Sequence, residues 1–453
     1  MLRKIKKSLH KSIKSEFFRN VGVLVSGNVI AQAIPILLSP VFTRIYSPEN
    51  FGILALYVGL VNVLINVTTG RYEFALVLPK SKEKVSNLFV LTVLISFGSS
   101  LIFLLLVILF NKSIAQLLNN EEIGFWLYLL PLSLFLRGTY QAGIYWFNQS
   151  KAFKEVTYSR ITQTSATNST KLGFGFLGYG SAGMIISSII GGSAASIFVV
   201  RKMIKDDRYS LRQINMNTII ALGRRYKKFP KYSMPAGLLN SFSVQLPVFL
   251  LSSFFNSTIV GFYSLSHRIL TMPMRVIGKS IADVYYQKIS SLNDKNKLAK
   301  FTFSVYKKLL LIGIIPLGLI MAFGDYIFGF VFGDEWTIAG KYAQYLSLWV
   351  LFNFISSPLS RLFLTLEKQQ KSLVVNVVLL FFRAAPLIIG AFIYVEAFDV
   401  IKLFSIISVV FWIGYCYYLL KEVNIRFYRF FFYTLFVIGV IVIPLFLIRF
   451  VWL

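Results

Sequence analysis

The stretch FYSLSHRILTMPMRVIGKSIADVYYQ, from Phe262 to Gln287, reads as one long apolar helix, yet it carries Arg268, Arg275, Lys279 and Asp283. Residues three, four or seven apart share a helix face, so these four, with Thr271 or Met272, form one charged stripe. Ionisable side chains in a bilayer-spanning helix are costly. They turn to a protein interior or a water-filled cavity and are functional candidates by default. What surrounds this helix therefore decides the fold.

The surroundings are apolar. Of 453 residues, 56% are hydrophobic and 16% aromatic, only 14% are charged, and the mean hydropathy is +0.68. No soluble domain hides that much apolar side chain, which places the chain among polytopic membrane proteins. The net charge of +29, from 47 Lys and Arg against 18 Asp and Glu, does not imply nucleic acid. Nucleic-acid binding gathers basic residues on one face or tail, whereas here they alternate with the apolar segments. The single Cys416 excludes an intrachain disulfide framework and a multi-cysteine metal site. With only His10 and His267, no nucleotide-binding glycine loop preceding a GK[ST] and no HExxH, the sequence predicts neither an enzyme nor a cofactor.

A spanning helix needs roughly 20 mostly apolar residues, and runs of that size, from Val21–Phe42 to Phe430–Ile448, predict about thirteen spans. With the N-terminus inside, Lys and Arg concentrate in the cytoplasmic loops, including ten between Arg201 and Lys231, while the opposite loops carry Asp325, Asp334, Glu335, Glu396 and Asp399. That asymmetry is the positive-inside pattern. Residues 1–19 lack a cleavable signal. They read either as a short amphipathic helix on the cytoplasmic membrane surface or as a disordered basic leader that fixes orientation.

An internal repeat sets the organisation. Asn28-Val-Ile-Ala-Gln32-Ala-Ile-Pro35 in the first span matches Asn240-Ser-Phe-Ser-Val-Gln245-Leu-Pro247 in the seventh, and each leads into a similar helix start, Gly52-Ile-Leu-Ala-Leu56 and Gly261-Phe-Tyr-Ser-Leu265. Parallel repeats about an axis normal to the membrane place a substrate site between the halves. The expectation is an all-α membrane protein of two pseudo-symmetric six-helix lobes around a central cavity. Its parts are a basic leader (1–19), an N-terminal lobe (20–202), a basic cytoplasmic linker (203–228), a C-terminal lobe (229–421) and an accessory transmembrane helix (422–453). Prolines inside the spans favour kinks.

At about 1.5 Å per residue, Arg137, Arg268 and Arg383 fall near mid-depth. An arginine there costs roughly 2.5 to 3.5 kcal/mol on translocon scales, so three require a polar lumen or buried partners. Arg275, Lys279 and Arg71 lie nearer the cytoplasmic side, where a snorkelling anchor is an equal reading. Asn28 and Gln32, Asn62 and Asn66, Tyr140, Gln141 and Tyr145, with Asn240 and Gln245, add amide and phenol groups suited to sugars. Each alone also reads as a hydrogen bond that glues helices; together with the arginines they predict a hydrated cavity. Acidic residues in the spans reduce to Glu73 and Asp283, both near the cytoplasmic face and candidates for ion coupling, with Asp283 spaced to pair with Lys279. The predicted cavity favours an anion.

Phe42-Thr-Arg-Ile-Tyr-Ser-Pro48-Glu-Asn-Phe-Gly52, Arg71-Tyr-Glu-Phe-Ala-Leu-Val-Leu-Pro79, and Phe229-Pro-Lys-Tyr-Ser-Met-Pro235 leading to Gly261-Phe-Tyr-Ser-Leu-Ser-His-Arg268-Ile-Leu-Thr-Met-Pro273 resemble Wzx-type oligosaccharide flippases of the multidrug/oligosaccharidyl-lipid/polysaccharide exporter superfamily. The resemblance covers the chain to about Leu420, and Arg268 fits its pattern. It implies two six-helix lobes around a cationic cavity in the bacterial cytoplasmic membrane. It also implies transfer of undecaprenyl-diphosphate-linked oligosaccharide to the outer leaflet, among membrane lipids and beside a polysaccharide polymerase. The thirteenth span departs from the usual even count. A cation-coupled multidrug efflux transporter of the same superfamily is the alternative, but it would want a carboxylate in mid-helix, which this sequence lacks.

Overall fold

The computed structural model describes Val29 and residues 31–206, 213–292 and 294–452. The leader (1–19) and Asn28 lie outside the described residues. Within them the chain is all-α, with no strand. The first eight helices are α1 (Ser39–Ile45), α2 (Pro48–Thr68), α3 (Lys82–Leu117), α4 (Glu121–Leu127), α5 (Leu130–Gln149), α6 (Phe153–Phe176), α7 (Gly180–Asp206) and α8 (Met216–Arg225). Then follow α9 (Met234–Phe254), α10 (Ser257–Ile289), α11 (Lys295–Phe332), α12 (Thr337–Leu359), α13 (Leu362–Thr365), α14 (Gln369–Ile393), α15 (Ala397–Lys421) and α16 (Phe427–Trp452).

Among the described residues nine helical segments are long and apolar enough to cross a membrane, so the protein is a multi-pass membrane protein. The expected spans missing from that set are the first, which begins outside the described residues, and α5, α6 and α10. Those three helices carry Arg137, Arg160, and Arg268 with Arg275, whereas Arg383 lies on α14, which is within the set.

Several expected spans are not single helices. The fourth is broken at Tyr128–Leu129, where Pro131 opens α5; its missing N–H suits a first turn. The tenth breaks after Pro358 into α12 and α13. By contrast Pro247, Pro273, Pro316, Pro386 and Pro444 sit inside continuous helices, and the non-helical residue of α11 is Phe323. Side-chain and backbone neighbours, rather than proline alone, thus decide where these helices bend.

The described residues form two compact units. Unit 1 comprises those up to Tyr46 and Leu56–Gln245; unit 2 comprises Ser47–Ala55 and those from Leu246 onward. The core of unit 1 gathers Leu88, Phe89, Ala142, Phe147, Val199 and Met203 from α3, α5 and α7. Small residues allow that approach: a Cβ on Gly143 would press on Val199, and one on Gly138 on Ser96.

Unit 2 packs around α12, whose residues from Trp349 to Ile355 are nearly all buried. The fully buried Trp336 is met edge-on by Phe51 and Phe262, at 5.0 and 5.9 Å between ring centroids. The repeat glycines touch here. A Cβ on Gly52 would fall on the Ser257 carbonyl, and one on Gly261 on the Pro48 carbonyl. Pro48 precedes Gly52 as Ser257 precedes Gly261, so the contact is reciprocal between repeat-related positions.

The terminal helix α16 is tied to α11. Tyr306 and Thr434 hydrogen-bond at one level. At another, Arg449 donates to Asp325 Oδ2 at 2.6 Å and to the Ala322 carbonyl, which the irregular Phe323 leaves available.

Candidate functional site

Helix α5 has two working faces. Leu134, Gly138, Ala142 and Trp146, four apart, are buried against the unit 1 core. The neighbouring row, Arg137, Gln141, Tyr145 and Asn148, opens into a cavity of about 630 Å³ within unit 1. Eleven residues at 1.5 Å each make that row about 16 Å long. Asn62 and Asn66 of α2, Tyr140 of α5, Arg160 of α6, and Asn240, Ser241 and Gln245 of α9 complete the polar wall.

The structure therefore gathers Arg137, Asn62, Asn66, Tyr140, Gln141, Tyr145, Asn240 and Gln245 around one space. Gln32 is half-buried on the helical residues 31–37 and does not line it.

Two arginines join the cavity that the sequence did not single out for it. Arg71, for which a snorkelling anchor was an equal reading, is held in the wall. Consecutive left-handed residues, Gly70 (φ 57°) and Arg71 (φ 61°), end α2 and turn the guanidinium back onto Asn66 Oδ1. Its Nη1 lies 3.7 Å from Glu73 Oε1 and its Cζ stands 4.9 Å from the Phe74 ring centroid. Gly237 leaves room for it, since a Cβ there would strike the guanidinium. Asn66 in turn donates to Ser241 Oγ at 2.9 Å.

Arg160 sits beside Ser159, whose hydroxyl lies 3.5 Å from the Tyr140 hydroxyl. Its signal was available: seven residues into α6 puts it about 10 Å from that helix's first turn, too deep for a loop cation.

Glu73 is fully buried, on a 3-10 turn (Tyr72–Val77) between α2 and α3. Gln141 Nε2 donates to its Oε1 at 3.3 Å, while Oε2 and Arg71 Nε find no protein partner. Burial pushes this carboxyl above its usual range, against the opposing pull of Thr69 and Arg71. Of the three cavity arginines only Arg71 lies beside this buried carboxyl, and no carboxylate among the described residues pairs with Arg137 or Arg160. Guanidinium groups with free donors bind phosphate and carboxylate in forked geometry, and the amides and phenols offer partners for hydroxyl groups. Such a lining has the chemistry to hold a polar anion rich in hydroxyls.

Unit 2 holds the other predicted cations. In α10 the row Leu270, Met274, Gly278, Ala282 and Tyr285 is buried, and Arg268, Arg275, Lys279 and Asp283 form an exposed stripe on another face. Arg275 Nη2 donates to Thr271 Oγ1 at 3.1 Å. Lys279 and Asp283 make no ion pair with each other among the described residues; both are exposed. His267 is stacked between Tyr263 and Trp349, with ring centroids 5.7 Å away on each side. Arg383, half-buried on α14, lies within electrostatic range of Tyr263 and His267. No three His, Cys, Asp or Glu side chains gather among the described residues as a metal site needs.

Comparison with known proteins places this geometry. Residues 41–340 match the family model described as polysaccharide biosynthesis protein. The succinoglycan biosynthesis transport protein ExoT of Rhizobium meliloti is 22% identical over 331 residues, 71% of this chain and 63% of that protein; the match spans less than two thirds of that relative. Among solved structures, the lipid II flippase MurJ in an inward closed conformation superposes with a TM-score of 0.72 at 16% identity, covering 94% of this chain and 97% of that one. An inward-facing multidrug resistance MATE family transporter of the MOP superfamily gives 0.61 at 16% identity, covering 88% and 93%. The fold is that of these membrane transporters.

Proposed function

The chain belongs to the polysaccharide biosynthesis protein family, and from that premise we propose that it is a flippase for polyprenyl-diphosphate-linked oligosaccharide. It moves undecaprenyl-linked repeat units from the cytoplasmic to the outer leaflet of the bacterial cytoplasmic membrane, with its N-terminus inside, by alternating access. The product feeds a surface polysaccharide such as O-antigen, capsule or exopolysaccharide through a polymerase. The observation that carries this reading is the cavity of unit 1, where Arg71, Arg137 and Arg160 stand among amides and phenols. Diphosphate and sugars cannot cross hydrocarbon unaided, since each unsatisfied polar group there costs several kcal/mol. The arginines answer the diphosphate and the amides and phenols answer the hydroxyls, while the polyprenyl tail stays in lipid. Within unit 2, the α10 cations Arg268, Arg275 and Lys279, and Arg383 of α14, are further candidates for anion recognition.

The test is made in cells that depend on this chain for surface glycan. Arg268→Ala and Arg137→Ala are expected to insert normally yet accumulate undecaprenyl-linked oligosaccharide on the cytoplasmic side. Normal surface glycan in both would sink the assignment. Deleting the gene is expected to remove polymer and leave drug resistance unchanged; a drug-sensitive deletion with intact polymer would favour efflux instead. The fully buried Glu73 and the surplus of guanidinium groups make the cavity a poor host for cationic drugs.

A further inference from the structure

The segment joining α7 to α9 contains the ten-residue helix α8, which belongs to unit 1. Its Ile219 and Leu222 are buried. Asn87 of α3 clamps the approach to it, donating to the Gln213 carbonyl at 3.3 Å and accepting from the Asn215 N–H at 2.9 Å. The Tyr72 hydroxyl donates to the Gly223 carbonyl at 2.9 Å. The helix therefore has one orientation, and what its other faces present is a fixed property of the fold.

Those faces are neither uniformly polar nor uniformly apolar. Met216, Ile220 and Arg224, four apart, lie in one row beside the buried one. Met216 and Ile220 are 62% and 45% exposed. Arg224, Arg225, Lys227 and Lys228, all exposed, follow in the last turn and just beyond. A solvated basic loop accounts for the cations but not for the apolar row leading into them. A nucleic-acid surface would place polar or aromatic groups there instead of Met and Ile.

An apolar row flanked by Lys and Arg on a helix of one orientation is the arrangement of a helix lying in the headgroup region. Side chains such as Met and Ile enter the acyl boundary while the cations meet lipid phosphates. We infer that α8 is an interfacial element that docks on anionic phospholipid headgroups, through Met216 and Ile220 together with Arg224, Arg225, Lys227 and Lys228.

The full chain carries the test, with Ile220→Cys labelled by an environment-sensitive dye. The native thiol, Cys416, is buried and does not compete. The protein is reconstituted in vesicles of phosphatidylcholine alone and of phosphatidylcholine with phosphatidylglycerol. Neither contains polyprenyl lipid, so the result is independent of the transport reading. With phosphatidylglycerol the dye emission is expected to shift to the blue and to be quenched by lipids spin-labelled near the headgroup. Both effects are expected to be lost when Arg224, Arg225, Lys227 and Lys228 are all replaced by Gln. Dye that stays water-exposed in both compositions overturns the inference. So does quenching that is equal in the two, or shielding that appears only on adding cytosolic protein or RNA. Because the label in the otherwise native chain reads docking directly, misfolding of the fourfold variant would leave that measurement intact.

Discussion

Replacing Arg71 by Ala leaves the fully buried Glu73 without its ion-pair partner, and the consequence can be worked from the geometry. At 3.7 Å and an effective dielectric of about 20, the Coulomb attraction is about 4.5 kcal/mol. Breaking a buried pair by removing one partner costs roughly 3 to 5 kcal/mol, so the two routes agree. The cost depends on pH. The Glu73 carboxyl already sits above its ordinary value of 4.5 because of burial, and losing Arg71 removes a pull that opposed this.

A group with a raised folded value contributes stability that is fully present below the unfolded value and is lost as pH rises through the folded one. Arg71→Ala should therefore melt close to wild type in acid and fall progressively below it once pH passes the raised value of the wild-type carboxyl, by at most about 1.4 kcal/mol per pH unit for one proton. Arg71→Ala combined with Glu73→Gln removes the charge that needs a partner, so it is expected to recover thermal stability and lose the pH slope. It should still fail in transport, because the cavity remains one guanidinium short. Melting followed by size-exclusion chromatography of heated, detergent-solubilised protein reads the stability; accumulation of cytoplasmic lipid-linked oligosaccharide reads the transport. Equal instability of the single and double variants across pH would refute the ion-pair reasoning, and transport recovered along with stability would refute the binding role of Arg71.

Arg137→Ala is the complementary case: with an exposed guanidinium and no carboxylate pair, it should change stability by no more than about 0.5 kcal/mol while weakening a charged hydrogen bond to substrate worth about 1.5 to 3 kcal/mol, read as a rise in cytoplasmic lipid-linked oligosaccharide. Gly261→Ala places a methyl group on the Pro48 carbonyl and should cost roughly 1 to 3 kcal/mol by overpacking, whereas Gly98→Ala, which meets nothing within 4 Å, should be neutral or stabilising by up to about 1 kcal/mol from helix propensity; comparing their melting temperatures checks both. Burial opposes ionisation of Glu422, but Lys368 and Lys371, at 2.6 and 2.5 Å, outweigh it and hold the carboxyl below its ordinary 4.5. That stabilisation is present above 4.5 and lost as pH falls through the folded value, so the melting gap between wild type and Glu422→Gln should close in acid. Arg449→Ala is expected to release α16 from Asp325 and Ala322, read as faster proteolysis or label uptake at the end of α16 with the rest of the chain intact.

Periodicity and composition were enough to recognise helices, because a chain in hydrocarbon must satisfy its backbone internally and can do so only as helices or a closed barrel. The charged stripe of α10 was legible for the same reason: helical spacing alone puts Arg268, Arg275, Lys279 and Asp283 on one face. Depth counting singled out Arg137, and the row it shares with Gln141 and Tyr145 is a local property of α5. The repeat was also legible in Gly52 and Gly261, though not that these two glycines would meet.

What only tertiary structure decided is which faces share a cavity. Arg71 reads as a basic residue after a span, and nothing local shows that a left-handed turn at Gly70 and Arg71 carries it back to Asn66, or that Gly237, far along the chain, leaves the room. Arg160 lies in a polar helix whose partners, Tyr140 and Ser159, meet across a helical hairpin. Helical spacing fixes a side chain's direction about its own axis, and it carries no information about what the neighbouring helix presents at the same height. By itself, the sequence determined a helical membrane chain and raised the expectation of a polar space lined by cations; packing decided that, in unit 1, Arg71, Arg137 and Arg160 line one cavity.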